Sequence, residues 1–424
     1  MKIASGSLKQ NLKSSFQENR MIDFEFEPQV IRQLKTYHGV AENMMRPISR
    51  EYDEREHDKP WDFIEMMWAG SKASAASGGD APVRADGPRL RTLYTCLSSE
   101  ELCWGDAGLF VSMPNAGLGG AAVAAAGTPE QKDRFLKRFS EGKPKWGAMA
   151  ITEPGCGSDS AAVATTATRE GDYWVLNGTK IFCTSGQMAA EKSEGFVVVW
   201  ASVDKRAGRA GIKPFVVEHN TPGMIVTRVE NKLGIRVSDT AMLSFDNCRV
   251  PLENLLGSPE VKPEGGFKDV MATFDATRPI VAAMATGVGR AALDHVRDFI
   301  ADHQVPLRYG ISLRKLGSLE RDFMEMEVQL KAARLLTWRA AWMLDMGQRN
   351  SLEASMAKAK AGKVVTLITQ KAVELLGPLG YSRTRLVEKW MRDAKINDIY
   401  EGTQQINLLI VARRILGYSS KELN

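Results

Sequence analysis

Hydrophobic positions change their spacing twice along the chain. From about Phe24 to Lys145 they recur on one helical face, as in QVIRQLKTYHGVAENMMRPISREY, LSSEELCWGDAGLFVSM and TPEQKDRFLKRFS. Ser98 and Ser99 ahead of Glu100 and Glu101 predict one helix start. Thr128-Pro129-Glu130 predicts another, with Pro in the first turn. Between Gly70 and Arg84, SKASAASGGDAPVR carries too few apolar side chains to build a core and reads as a mobile loop over about residues 70–87.

From about Trp146 to Val250 the pattern shifts to short strands. YWVLNGTKIFCTSG reads as two β-rich runs joined at Asn177-Gly178, residue types that tolerate the positive φ of a hairpin turn. GFVVVWASV, IKPFVVEH, GMIVTRVE and TAMLSFDNCRV follow, which predicts a small antiparallel barrel or sandwich. From about Gly266 onward the chain is helical, with VAAMATGVGRAALDHVRDFIADH, LERDFMEMEVQLKAARLLTWRAAWMLDMG and MAKAKAGKVVTLITQKAVELLG as long amphipathic segments of a bundle. The expected class is α+β. A polar extension (1–23) precedes a helical domain (24–145), a β-domain (146–258) and a C-terminal helical bundle (259–424).

Composition narrows the function classes. The 424 residues are too many for one compact core, and 44% hydrophobic with 25% charged is the balance of a globular enzyme. No apolar run approaches the roughly 20 residues of a membrane span. The start, MKIASGSLKQNLKSSFQENR, lacks the apolar stretch of a secretory signal and reads as a frayed extension. Cys96, Cys103, Cys156, Cys183 and Cys248 form no C-x-x-C pair, and the five His residues do not cluster. No metal site or disulfide framework is expected, and the compartment is expected to be reducing. A net charge of +5 gives no argument for nucleic acid, while leaving basic patches for a phosphate-bearing ligand.

Three segments carry candidate chemistry. ITEPGCGSDS (151–160) is too rich in Gly and Pro for regular structure; its backbone N–H groups can approach a ligand, with Thr152 and Ser158 adding hydroxyls. Alone it reads equally as a tight surface turn. In KIFCTSG, Phe182 and Thr184 are two apart, so in a regular strand they share a face, a ring beside a hydroxyl that suits a flat heteroaromatic cofactor. A core Phe is the plainer alternative. In MRDAKINDIYEGTQQINLLIVARRILG, Thr403 predicts an N-cap, and Glu401 alone reads as a solvated loop carboxylate near a helix start.

In order and flanking sequence these segments resemble the acyl-CoA dehydrogenases, nearest the short- and medium-chain members. ITEPGCGSD, KIFCTSG, KLGIRVSDTAMLSFDNCRVP, GGFKDVMATFDATRPIVAA and MRDAKINDIYEGTQQINLLIVARRILG carry the resemblance, which covers about residues 24–417. It implies an N-terminal helical domain, a β-domain and a C-terminal four-helix bundle, with FAD between the last two. By the motif match, Thr152 and Thr184 hydrogen-bond the flavin, Phe182 stands where the family commonly packs Trp on it, and Thr403 and Gln405 touch FAD beside the base. Ser158 matches a contact to the pantetheine arm, Asp275 and Arg278 match positions lining the substrate side, and Tyr400 walls the pocket.

The resemblance also implies a mechanism. Glu401 takes the α-proton of an acyl-CoA, the β-hydrogen leaves as hydride to flavin N5, and trans-2-enoyl-CoA results. A buried carboxylate has a raised pKa and is the stronger base, and hydrogen bonds to the thioester oxygen stabilise the enolate. Electrons then pass to an electron-transfer flavoprotein, a place in fatty-acid β-oxidation. The expected compartment is the cytoplasm, or the mitochondrial matrix in a eukaryote. Two alternatives are an acyl-CoA oxidase using O2 and a non-catalytic paralogous subunit of a heteromeric dehydrogenase; an intact Glu401 argues against the latter.

The chain departs from the family where a subunit usually completes its neighbour's FAD site. That neighbour offers R-x-x-F-G and a Gln ahead of G-G-x-G. Here His303 stands for the Arg, Glu374 for the Gln, and Pro378 for the second Gly. An added carboxylate opposes a pyrophosphate, and Pro removes a backbone donor. Two assemblies follow: a homotetramer in which Arg308 takes over from a shifted loop, or an α2β2 heterotetramer whose paralogue supplies the missing half.

Overall fold

A computed structural model of the chain runs from helices to strands and back to helices, in the order its periodicities change. It describes residues 26–76, 89–261, 266–418 and 422. The extension expected over 1–23 and most of the expected loop over 70–87 lie outside the described residues.

The N-terminal helices are α1 (Pro28–Val40), α2 (Arg46–Glu54), α3 (Trp61–Ala76), α4 (Arg91–Gly105), α5 (Ala107–Ser112), α6 (Gly117–Ala126) and α7 (Pro129–Leu136). A π-helical turn, Ala41–Met45, joins α1 to α2. It passes so close to α4 that a Cβ on Gly105 would lie 2.8 Å from Ala41 Cα. The capping box at Thr128 and Gln131 starts α7 as its sequence predicts.

Two expectations are corrected here. Residues 70–76 of the expected loop are helical, because α3 runs on to Ala76. The helix start expected at Ser98-Ser99 is interior to α4, which begins at Arg91. Its first amides are capped from a distant helix: Asp345 accepts from Thr92 N at 2.8 Å and from Leu93 N at 2.9 Å.

The strands are β1 (Gly147–Ala150), β2 (Thr166–Glu170), β3 (Tyr173–Thr184), β4 (Phe196–Ser202), β5 (Ile212–Glu218), β6 (Met224–Val229) and β7 (Thr240–Pro251). They form one sheet in the order β1-β4-β2-β3-β7-β6, with β5 also on β4. Most pairings are antiparallel, but β1 and β2 each meet β4 in parallel. Strand β4 is buried on both faces: Val197, Val199 and Ala201 join one core, while Phe196, Val198 and Trp200 join another.

The expected hairpin at Asn177-Gly178 is also corrected. Strand β3 runs straight through these residues, and the turn to β2 lies at Gly171-Asp172 instead. Asn177-Gly178 forms a register shift against β7. Gly178 has φ 150, and an added Cβ would meet Thr165 Oγ1 at 2.4 Å. The glycine serves a bulge and a close approach, not a turn.

The C-terminal helices are α8 (Gly266–Asp302), α9 (Ser318–Asp345), α10 (Ser351–Leu376), α11 (Pro378–Tyr381), α12 (Val387–Ala394) and α13 (Gln404–Leu416). The long α8, α9 and α10 pack together, with α13 on α10. Both helical segments share one hydrophobic core, in which Ala41, Leu102 and Cys103 meet Val288, Phe323, Ile368 and Trp390. The five cysteines are free and buried. Among the described residues no helix is long and apolar enough to cross a membrane.

Candidate active site

The turn before α13 is the most constrained backbone among the candidate residues. Glu401 has φ 52 and Gly402 φ 87, two left-handed residues in succession. A non-glycine residue there is strained, so its surroundings must hold it. Thr403 ends the turn by capping α13, accepting from Ile406 N at 3.2 Å. The Gly402 carbonyl accepts from Asn407 Nδ2 at 2.8 Å and from Lys358 Nζ at 2.6 Å.

The Glu401 carboxylate faces α8. Thr277 donates its hydroxyl to Glu401 Oε2 at 2.7 Å. Burial raises the carboxyl pKa above its ordinary value, and the Thr277 hydrogen bond and the charges of Arg278 and Lys358 pull it back in part. Arg278 is buried, with Nη1 on Asp275 Oδ1 at 3.0 Å and Nε without a hydrogen-bond partner. Asp275 also accepts from Ser351 Oγ at 3.3 Å, so it anchors Arg278 to the start of α10. Tyr400 packs against the helical core and donates to Asn397 Oδ1 at 3.0 Å. Among the described residues the Glu401 N–H makes no hydrogen bond, which leaves a backbone donor beside the carboxylate.

The second group of candidates lies on β3 and the loop before it. Ile181 N donates to the Thr152 carbonyl at 2.9 Å, which lays the ITEPGCGSDS loop along the strand arm bearing Phe182 and Thr184. Beneath the loop, fully buried Lys180 donates to Glu153 Oε1 at 2.7 Å and to the Ile151 carbonyl at 3.1 Å. Glu153 further accepts from Thr165 N and Ala164 N. Burial alone would raise the Glu153 pKa, but Lys180 and these donors bring it below its ordinary value.

The expectation that Phe182 and Thr184 share a face by simple alternation is corrected, because β3 is irregular between Lys180 and Cys183. Phe182 sits in that bulge with φ 56, and 60% of it is exposed, so it is not a core Phe. An uncovered ring on the strand arm that carries Thr184 and lies along the Thr152 loop, both threonine hydroxyls making no hydrogen bond among the described residues, fits a flat heteroaromatic group.

Phe274 on α8 connects the two groups. It packs on the same β-domain core as Ile151, and its ring lies 5.6 Å from the Arg278 guanidinium carbon. Gln405 and Ser158 are both exposed, on the first turn of α13 and on the loop. Sequence reasoning missed three residues here: Thr277, Lys358 and the Glu153–Lys180 pair's lysine. Thr277 lies between the two candidates of FDATRP. Lys358 interrupts an otherwise apolar buried stripe of α10 formed by Ala354, Ala361, Val365 and Ile368, and that interruption was the available signal.

Three family patterns match the chain: the acyl-CoA dehydrogenase N-terminal domain over residues 31–143, the middle domain over 148–248 and the C-terminal domain over 264–416. The mitochondrial short-chain specific acyl-CoA dehydrogenase of Rattus norvegicus is 37% identical over 390 residues, 92% of this chain and 90% of the relative. The short-chain specific acyl-CoA dehydrogenase of Clostridium acetobutylicum is 35% identical over 395 residues, 92% and 98% of the two chains. Among solved structures, butyryl-CoA dehydrogenase from Megasphaera elsdenii superposes with a TM-score of 0.81 at 33% identity, covering 93% of this chain and 100% of the other.

Proposed function

The chain belongs to the acyl-CoA dehydrogenase family, oxidoreductases acting on the CH–CH group of acyl-CoA with FAD, and on that premise we propose that it dehydrogenates a short acyl-CoA with Glu401 as the base. The observation that carries the proposal is the half-buried Glu401 carboxylate, raised in pKa and held by Thr277 at 2.7 Å beside a backbone N–H that makes no hydrogen bond among the described residues. The short-chain preference rests on the names of the relatives.

Glu401 accepts the α-proton of the thioester. Its raised pKa makes it a stronger base, while the Thr277 hydrogen bond and the Arg278 charge favour its ionised form. The Glu401 N–H donates to the thioester oxygen, stabilising negative charge as it develops. Thr152, Thr184 and Phe182 would hold the FAD ring, with Thr403 and Gln405 on the side of the base. FAD, when bound, supplies the acceptor that takes the β-hydrogen as hydride. The thioester's arm runs past Ser158, and Tyr400 walls the acyl side. The electrons leave through an electron-transfer flavoprotein.

The test is anaerobic mixing of the FAD-bound protein with butyryl-CoA and longer thioesters, followed at the flavin absorbance. Rapid bleaching by butyryl-CoA and none with Glu401→Gln is expected. Bleaching by Glu401→Gln within about tenfold of wild type would place the base elsewhere, since removing a general base costs roughly 100-fold or more.

The α2β2 assembly is favoured over the homotetramer by one pair. Arg308, the residue that would have to replace the missing arginine, donates Nε to Glu320 Oε1 at 2.9 Å and Nη2 to Oε2 at 2.6 Å. His303 is turned onto its own helix, on the Phe299 carbonyl, and Glu374 is paired with Lys371 at 2.8 Å.

A further inference from the structure

We propose that Lys358 is the positioning residue of the base, tying the left-handed Glu401–Gly402 turn to α10 and setting the charge environment of the Glu401 carboxylate. This rests on the reading of Glu401 as the base.

A lysine on the apolar stripe of a bundle helix needs a compensating environment, because burying an ammonium without partners is strongly unfavourable. Methionine would fill nearly the same space without that cost. Lys358 is 1% exposed, between Ala354 and Ala361 on the stripe. Its partners lie almost wholly within residues 398–402. Nζ donates to the Gly402 carbonyl at 2.6 Å and lies 5.8 Å from the Tyr400 ring centre. Asp398 and Glu401 supply opposing charge, and Arg278 of α8 repels it.

The geometry assigns the two donors to the Gly402 carbonyl different tasks. Asn407 belongs to α13 and travels with the turn, so it shapes the turn without fixing its place. Lys358 belongs to α10, so its bond locates the turn relative to the bundle core. Thr277 and Arg278 approach Glu401 from α8. The carboxylate is thus held between α8 and α10, and its backbone N–H is aimed by the same turn. Burial pushes the Lys358 ammonium down to about 8, so its charge is lost within the working range of an enzyme.

Lys358→Met and Lys358→Arg test this. The readouts are the pH dependence of kcat/KM with a dye acceptor, and the infrared carboxylate band of Glu401 in the substrate-free protein, assigned by difference from Glu401→Gln. Removing the cation in Lys358→Met is expected to raise the Glu401 titration by about one unit or more. At neutral pH kcat should fall about tenfold or more while KM changes little, the pattern of a lost transition-state interaction. Lys358→Arg keeps the charge, so it should keep the wild-type Glu401 titration and lose any fall in activity above about pH 8.

A Glu401 band that titrates as in wild type in Lys358→Met overturns the proposal, whether or not activity falls. If Lys358→Met does not fold, Lys358→Arg decides: an unchanged alkaline limb overturns the proposal. Turnover by Glu401→Gln would instead overturn the reading of the base, separately from either lysine variant.

Discussion

Thr277 donates its hydroxyl to Glu401 Oε2 at 2.7 Å, and this one hydrogen bond joins the FDATRP segment of α8 to the turn before α13. It favours the ionised carboxylate, against the burial that raises its pKa. A hydrogen bond to a charged group is worth about 1.5–3 kcal/mol, or roughly one to two pKa units. Thr277→Val, nearly isosteric, should therefore move the acid limb of kcat/KM upward by about that much. Fold and flavin content should be unchanged. The pH profile of the variant checks this, and a profile superimposable on wild type would show that the hydroxyl does not tune the base.

The pair Lys180–Glu153 predicts a stability effect. Lys180 is fully buried and its carboxylate partner is 6% exposed, so removing either leaves an uncompensated charge. Lys180→Met should destabilise the protein by about 3–5 kcal/mol, whereas the double variant Lys180→Met/Glu153→Leu should recover much of the loss. The pKa of Glu153 lies below its ordinary 4.5 in the folded chain. The stability it contributes is thus present above that ordinary value and is lost as pH falls through the folded one. Denaturant unfolding of both variants at neutral and acidic pH measures this. A double variant no better than the single one would mean the charges are not coupled.

Much of this was legible in the sequence because its causes are local. The α–β–α order follows from hydrophobic spacing, Thr403 and Thr128 cap the helices their side chains predict, and Glu401 was reachable through its flanking motif. What escaped depends on distant partners. Asn177-Gly178 carries every mark of a hairpin, and only Thr165 packed against Gly178 explains the bulge. The start of α4 is set by Asp345, on another helix. Lys358 looks like a solvated lysine until the turn at Gly402 is placed over it.

Phe182 separates cofactor binding from folding. The residue is 60% exposed in the left-handed bulge of β3, so it adds little to the core. Phe182→Ala should change the melting of the flavin-free protein by no more than about 0.5 kcal/mol. It should nevertheless lower the FAD retained through gel filtration, because a stacking surface is lost. Calorimetry of the flavin-free protein and absorbance of the eluted protein test the two halves. Full FAD retention by the variant would remove Phe182 from the cofactor site.

The Arg308–Glu320 pair bears on assembly. Arg308 donates twice to the Glu320 carboxylate and once to the Lys315 carbonyl, all within its own chain, and Glu320 also accepts from Gly317 N at 2.8 Å. The Arg308 guanidinium and the Gly317 amide hold the Glu320 carboxyl down at about 2, so the pair stays charged at any working pH. Recruiting Arg308 to a neighbour's pyrophosphate would break it and leave Glu320, itself 5% exposed, beside a second anion. His303, Glu374 and Pro378 offer no replacement, since a ring on its own helix, a carboxylate and an imino acid add no fixed cation or amide. The chain expressed alone should therefore retain FAD well below one per protomer. Co-expression with a paralogue carrying the Arg-bearing segment should restore it as an α2β2 complex, with FAD at each unlike pairing. Flavin absorbance per protomer and mass measured by light scattering decide the matter. A homotetramer with full FAD and turnover would show that the chain completes its own neighbours' sites after all.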